Sequence, residues 1–274
     1  MAKDIRDIIK ETDAYNFHAH SQYCDGRDTM EAIAAAAEAA GMRYFAFTPH
    51  CPVPVASCCN MDAGKVPEYL EETARLAEKH RGKMEVLTSL EIDWLGDDWG
   101  PHVDYFQRLP LDFRLGSVHY VTSQDGIPFD CDGNFGHFKP LLDKEFRGDI
   151  GYVVEKYFES VIRMLERGGL DLLGHFDKIA GNASQAQPGI EDEGWYESLV
   201  DDVVSHVAGT DVVVEINTKA YADKGRFFPH ERWWGKLIDA GVAVAIDSDA
   251  HYATKVTAGR AEALEKFAGM KKKC

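Results

Sequence analysis

The chain lacks any run of apolar residues approaching the roughly 18 to 20 that a membrane span needs. It also has no basic leader followed by an apolar stretch, since residues 1–11 are charged and helical in character. Cytoplasm is therefore the expected compartment, with no membrane partner. Positive charge is scarce: 30 Lys and Arg stand against 46 Asp and Glu, a formal net charge of -16. Sequence-independent binding of nucleic acid needs a basic face that displaces counterions, so that class is excluded. The six cysteines, Cys24, Cys51, Cys58, Cys59, Cys131 and Cys274, contain an adjacent pair but no Cys-x-x-Cys spacing. Free thiols are expected rather than disulfides or a structural zinc site. Repeats, low-complexity tracts and linkers are missing too, so residues 1–274 are expected to form one α/β domain.

Histidine, by contrast, is placed with regularity. His18, His20, His50, His119, His175 and His251 sit at the ends of short apolar runs that read as strands: 15–20, 43–50, 84–94, 113–121, 170–177, 211–218 and 242–251. Acids share that edge, with Asp25 just past the first run, Glu91 in the third, Glu215 in the sixth and Asp249 in the seventh. Helical periodicity fills the intervals at 29–40, 66–80, 150–167, 194–207, 230–240 and 256–267. In the first interval Asp28 offers an N-cap and Gly41 a C-cap. Alternating strands and helices build a parallel sheet. An open sheet would gather its ligands at one switch point, whereas one chemistry spread over nearly every strand end implies closure. The expected fold is a distorted TIM-like barrel with seven parallel strands, its mouth covered by the loops 51–64 and 122–148.

Side chains alternate along a strand, so His18 and His20 share a face, and so do Asp249 and His251. Imidazole with carboxylate suits Zn, Mn or Fe. With His18-Ala19-His20, Cys24-Asp25-Gly26, Thr48-Pro49-His50, Glu91, Gly116-Ser117-Val118-His119, Gly174-His175 and Ser248-Asp249-Ala250-His251 in this order, the chain resembles the polymerase and histidinol phosphatase (PHP) family over nearly its whole length. Gly116 to Tyr120, Phe129 to Asp132 and Glu215 to Thr218 are most similar to its histidinol-phosphate phosphatase branch. Two positions depart from the family: Pro49 stands where Asp is frequent, and Asp247 where Gly is common.

The resemblance implies three divalent ions. One would take His18, His20, Glu91 and Asp249, a second Glu91, His119 and His175, and a third Asp25, His50 and His251, with Glu91 bridging. It also implies hydrolysis of L-histidinol phosphate in histidine biosynthesis, by metal-activated hydroxide attacking phosphorus in line. Asp249 and His251 are the candidates for protonating the leaving group, which makes Glu91, Asp249 and His251 the expected catalytic set. Lys178, Arg226 and Asn217 are candidates for holding phosphate or substrate, Asp130 and Asp132 for the substrate ammonium, and His137 for a substrate contact. His80 and His206 read as surface residues on helices, and Trp233-Trp234 as packing. Alternatives are a related phosphoesterase acting on nucleotides or other small phosphate esters, an amidohydrolase, and an inactive metal-binding module. The amidohydrolase class commonly bridges its metals with a carboxylated lysine, where this chain offers Glu91. Oligomeric state and metal identity are left open.

Overall fold

The computed structural model describes residues 3–272. Two parallel sheets make up its frame. In the first, β1 (Tyr15–Asn16), β2 (Tyr44–Phe47) and β3 (Glu85–Thr88) lie side by side. In the second, β4 (Glu91–Asp93), β5 (Leu115–Ser117), β8 (Leu172–Leu173), β9 (Val213–Asn217) and β10 (Val244–Asp247) follow in spatial sequence. β3 and β4 are one path through the frame, broken at Ser89 and Leu90. A parallel bridge from His50 to Glu91 joins the sheets on one side, and one from Ala19 to Ala250 joins them on the other. The frame is thus a closed, distorted TIM-like barrel of seven parallel strands, as expected from the spread of one chemistry over the strand ends.

Closure explains Asp247. At the seam between β1 and β10 the backbone ladder is sparse, and side chains complete it. Asp247 Oδ1 accepts the Phe17 N–H at 2.6 Å, Asn16 Oδ1 accepts the Ser248 N–H at 2.7 Å, and Tyr15 Oη accepts the Ile246 N–H at 3.1 Å. Buried Arg260 donates to the Ile246 carbonyl at 2.8 Å and lies over the Tyr15 ring.

All seven strand paths contribute to one apolar cluster, including Tyr15, Phe17, Ala46, Leu87, Leu115, Leu172, Val213 and Ala245. With the sheets bridged on both sides, this cluster is the barrel interior. Ile5 and Ile8, from the helix Ile5–Glu11, join this cluster. Burying each contributes about 1.5 to 3 kcal/mol.

The helix Met30–Ala39 begins at Thr29, not Asp28: Thr29 Oγ1 accepts the Ala32 N–H, and Asp28 instead accepts the Ala253 N–H at 2.7 Å. Thr29 already has the extended backbone of an N-cap. Gly41 (φ 79°) and Gly168 (φ 71°) end their helices in the left-handed region, where a Cβ costs energy. The last helix runs Arg260–Lys271, later than the periodicity suggests, because a 3-10 turn at Ala253–Lys255 precedes it.

The segment 122–148 is not all loop. β6 (Tyr120–Thr122) and β7 (Pro128–Asp130) form an antiparallel hairpin, and a helix spans Phe135–Glu145 with Pro140 inside it. His80 is buried and its Nδ1 pairs with Glu38 at 2.6 Å, so it is not the surface residue expected, whereas His206 is exposed. Trp233 and Trp234 are buried packing residues.

Candidate metal centre

The C-terminal ends of the strands bring together all nine candidate ligands. His20, Asp25, His50 and His251 form one group; His18, His20 and Asp249 a second; Glu91, His119 and His175 a third. Glu91 lies at their centre. Its Oε1 faces His175 Nε2 at 3.0 Å and His119 Nε2 at 3.5 Å, while its Oε2 faces His50 Nδ1 at 3.1 Å and both His18 and His20 Nε2 at 3.3 Å. One carboxylate thus offers an oxygen to each side of the cluster.

Asp249 reaches the cluster through a backbone φ of 48°, a region that aspartate tolerates better than most residues but that still costs energy. Its Oδ1 lies 3.1 Å from His20 Nε2. His251 Nε2 meets Asp25 Oδ2 at 3.1 Å, and His50 stands beside them with only a 3.8 Å approach to Asp25. With Pro49 in place of an acid, His50 takes its charge partners from Glu91 and Asp25.

The imidazoles are held by acids behind them. Glu215 Oε1 accepts from His18 Nδ1 at 2.6 Å, and Asp93 Oδ1 from His119 Nδ1 at 2.6 Å. Each acid fixes a tautomer and turns the Nε2 lone pair toward Glu91. Glu215 Oε2 also accepts the His175 N–H at 2.9 Å. Asp93 was not singled out from sequence, although it is two residues from Glu91 on one strand and so shares its face.

The donor set fits divalent cations. Carboxylate oxygens and imidazole nitrogens converge there. Glu91 Oε2, Asp25 Oδ1, His50 Nδ1 and His175 Nδ1 are buried without a hydrogen-bond partner. Such a set is stable only with protons or cations among its members. Burial, reinforced by His251 and His50, holds the His20 imidazole well below its usual pKa, and burial with Lys178 lowers His175, so both are neutral donors. For His119 burial works downward, but Glu91 and Asp93 overcome it and raise the imidazole to about 10. His18 is likewise raised against burial by Glu215 and Glu91. Burial pushes Glu91 and Asp249 upward, yet the surrounding imidazoles, with Lys219 beside Asp249, hold both carboxyls well below the usual range.

A pocket opens onto this cluster. Lys178 and Lys219 line it on one side, and Asn60, Tyr120, Asp130 and Asp132 also contribute. Lys178 Nζ lies 3.4 Å from Asp132 and 3.8 Å from Asp249. Lys219, missed in the sequence, lies 3.4 Å from Asp249 and 3.1 Å from His251 Nε2. Arg226 does not reach the pocket: its guanidinium forks onto Glu191 at 2.8 and 2.7 Å and approaches Asp177 at 3.5 Å. Asn217 is buried and donates to Asp249 Oδ2 at 3.1 Å, so its amide faces a candidate ligand. His137 is exposed on its helix and is not among the pocket residues.

Residues 16–219 match the PHP domain family, and the chain belongs to that family. The relatives it resembles share a narrower description. A Deinococcus radiodurans protein named "Probable histidinol-phosphatase" is 25% identical over 262 residues, 91% of each chain. The histidinol-phosphatase of Bacillus subtilis is 26% identical over 164 residues, 53% of this chain and 57% of the relative. In fold, the chain matches the histidinol phosphate phosphatase of Lactococcus lactis, solved with zinc, L-histidinol and phosphate, at a TM-score of 0.69 and 18% identity, covering 94% of this chain and 92% of that one. No helix among the described residues is long and apolar enough to cross a membrane.

Proposed function

We propose that the protein is a metal-dependent phosphomonoesterase that hydrolyses L-histidinol phosphate to L-histidinol and phosphate, a step of histidine biosynthesis in the cytoplasm. The observation that carries this reading is the pocket itself, where a metal-ligating floor meets two lysines and two acids. Three divalent ions of the Zn, Mn or Fe type would be held by His18, His20, Glu91 and Asp249, by Glu91, His119 and His175, and by Asp25, His50 and His251. When bound, such ions neutralise phosphoryl oxygens and make water a nucleophile near neutral pH.

The chain's own residues do the rest. Lys178 and Lys219 hold phosphoryl oxygens that the metals leave free. Asp93 and Glu215 keep the ligand imidazoles in one orientation. Asp249 lines the pocket, with His251 Nδ1 3.3 Å from its Oδ1. Asp249 and His251 are the groups available to pass a proton to the departing alkoxide. Asp132, partly buried and, against desolvation, held below the usual carboxylate range by Lys178 and His119, and Asp130, exposed in the pocket lining, receive the ammonium of histidinol. Residues 1–274 act as one PHP unit, a reading supported by the pairing of Ala19 with Ala250 near opposite ends of the chain.

A site that pairs the polar groups of its substrate rejects analogues lacking them. Histidinol phosphate should exceed p-nitrophenyl phosphate in kcat/KM by at least about a hundredfold, roughly 2.7 kcal/mol. Nucleoside monophosphates belong in the same panel. A preference for one of them would overturn the substrate, and cleavage of an amide but no phosphate ester would overturn the reaction class.

A further inference from the structure

The loop after β2 carries adjacent cysteines that the phosphatase reading leaves unused. Cys58 is exposed, Cys59 lines the metal pocket, and their sulfurs stand 3.6 Å apart. A disulfide needs about 2.05 Å, so these are two separate thiols with their sulfurs side by side. The other described cysteines have no such partner: Cys51 and Cys131 are buried, and Cys24 lies beside His20. Cys274 lies outside the described residues.

The pair is wired to the metal centre. Ser57 Oγ accepts the Cys59 N–H at 3.1 Å and donates to Asn60 Oδ1 at 2.6 Å. Asn60 Nδ2 donates to Asp93 Oδ2 at 2.7 Å, and the other oxygen of Asp93 holds His119. Displacing Cys59 therefore moves Asn60, which loosens the carboxylate that orients a candidate ligand.

We propose that Cys58 and Cys59 form a vicinal dithiol site for trivalent arsenicals and similarly thiophilic two-point electrophiles, and that its occupation shuts down the adjoining pocket. An organic arsenoxide condenses with the two thiols. Two S–As bonds form, the arsenic–oxygen bond is lost, and the oxygen leaves as water with both thiol protons. Arsenic stays trivalent and sulfur is not oxidised. The second bond is intramolecular, so the cyclic product outlasts any single-thiol adduct. Simple oxidants are disfavoured at Cys59, because they act on thiolate. Burial, with the contact from Cys58 and the charge of Asp25, pushes the Cys59 thiol up to about 12.

The test treats the metal-loaded protein with equimolar phenylarsine oxide and counts free thiols without denaturation. Two accessible thiols should disappear, and phosphatase activity should fall at least tenfold. 2,3-Dimercaptopropanol should restore both, whereas excess 2-mercaptoethanol should not. C58S keeps basal activity, since that side chain is outside the pocket, and should be insensitive to the reagent. The thiol count is independent of the phosphatase reading, so failure of that reading leaves the site testable. An unchanged thiol count, or equal sensitivity of C58S, overturns the site; two thiols captured with activity intact overturns its coupling to the pocket.

Discussion

Glu215→Gln puts the tautomer argument under direct load. The parent carboxylate is fully buried and accepts from His18 Nδ1 at 2.6 Å through one oxygen and from the His175 N–H at 2.9 Å through the other. Glutamine has the same shape but only one acceptor oxygen. If that oxygen stays with His18, the amide NH2 faces the His175 N–H, donor against donor. If it turns to His175, the NH2 faces His18 Nδ1 and drives the proton onto Nε2, the atom that points at Glu91. Either way one charge-assisted hydrogen bond is lost, worth about 1.5 to 3 kcal/mol. The same range converts to a factor of ten to somewhat over a hundred, in line with what partners of metal-ligating histidines are worth. The zinc dissociation constant should therefore rise about ten- to a hundredfold in a chelator-competition titration, with far-UV circular dichroism unchanged. Turnover at limiting zinc should fall with it and recover partly at excess zinc. Zinc affinity within twofold of the parent would refute the claim that Glu215 sets the His18 tautomer.

Chelator-stripped protein should lose phosphatase activity, and Glu91→Gln and His119→Ala should each lower kcat at least about a hundredfold with smaller effects on KM; elemental analysis showing at most one metal per chain with activity indifferent to chelation would sink the cluster. The control is His206→Ala, which is exposed, since His80 is buried against Glu38 and its loss would disturb folding. Arg226→Gln should leave kcat/KM within about threefold of the parent while costing about 1.5 to 3 kcal/mol of stability in urea melts, because it removes the charge-assisted fork onto a half-buried Glu191. Burial raises Glu191, but the Arg226 fork outweighs it and keeps the carboxyl below its usual range. That stabilisation is present above the unfolded carboxyl pKa of about 4.3 and is lost as pH falls through the folded value. The gap between parent and variant should thus narrow between pH 7 and pH 3, and an equal gap at both would remove Glu191 as its source.

Local pattern determined the frame of this protein. The seven apolar runs and the helices between them follow from burial of one face, which writes a period into each segment whatever its neighbours do. Histidines at the strand ends were visible for the same reason, since a strand's C-terminal edge is a local property. Closure was inferred from their spread, and the bridge from Ala19 to Ala250 completes it. The helix Phe135–Glu145 escaped detection because Gly136 and Pro140 give it the composition of a loop, while Phe138 and Leu142 bury it against the core.

Pairings between residues distant in the chain were decided only when the barrel closed. Arg226 follows β9 as a candidate phosphate holder would, but its fork is satisfied by Glu191, 35 residues earlier. Lys219, one loop away, reaches Asp249 and His251 instead. His80 has the position of a surface helix residue, yet Glu38, 42 residues before it, draws it inward. Glu215 reads as a strand acid and Asp93 was not singled out, and their role as hydrogen-bond acceptors for His18 and His119 exists only where separate strand ends converge. Periodicity records which side of an element is buried; which charge meets which depends on angles and distances across the barrel, and those belong to the folded chain as a whole.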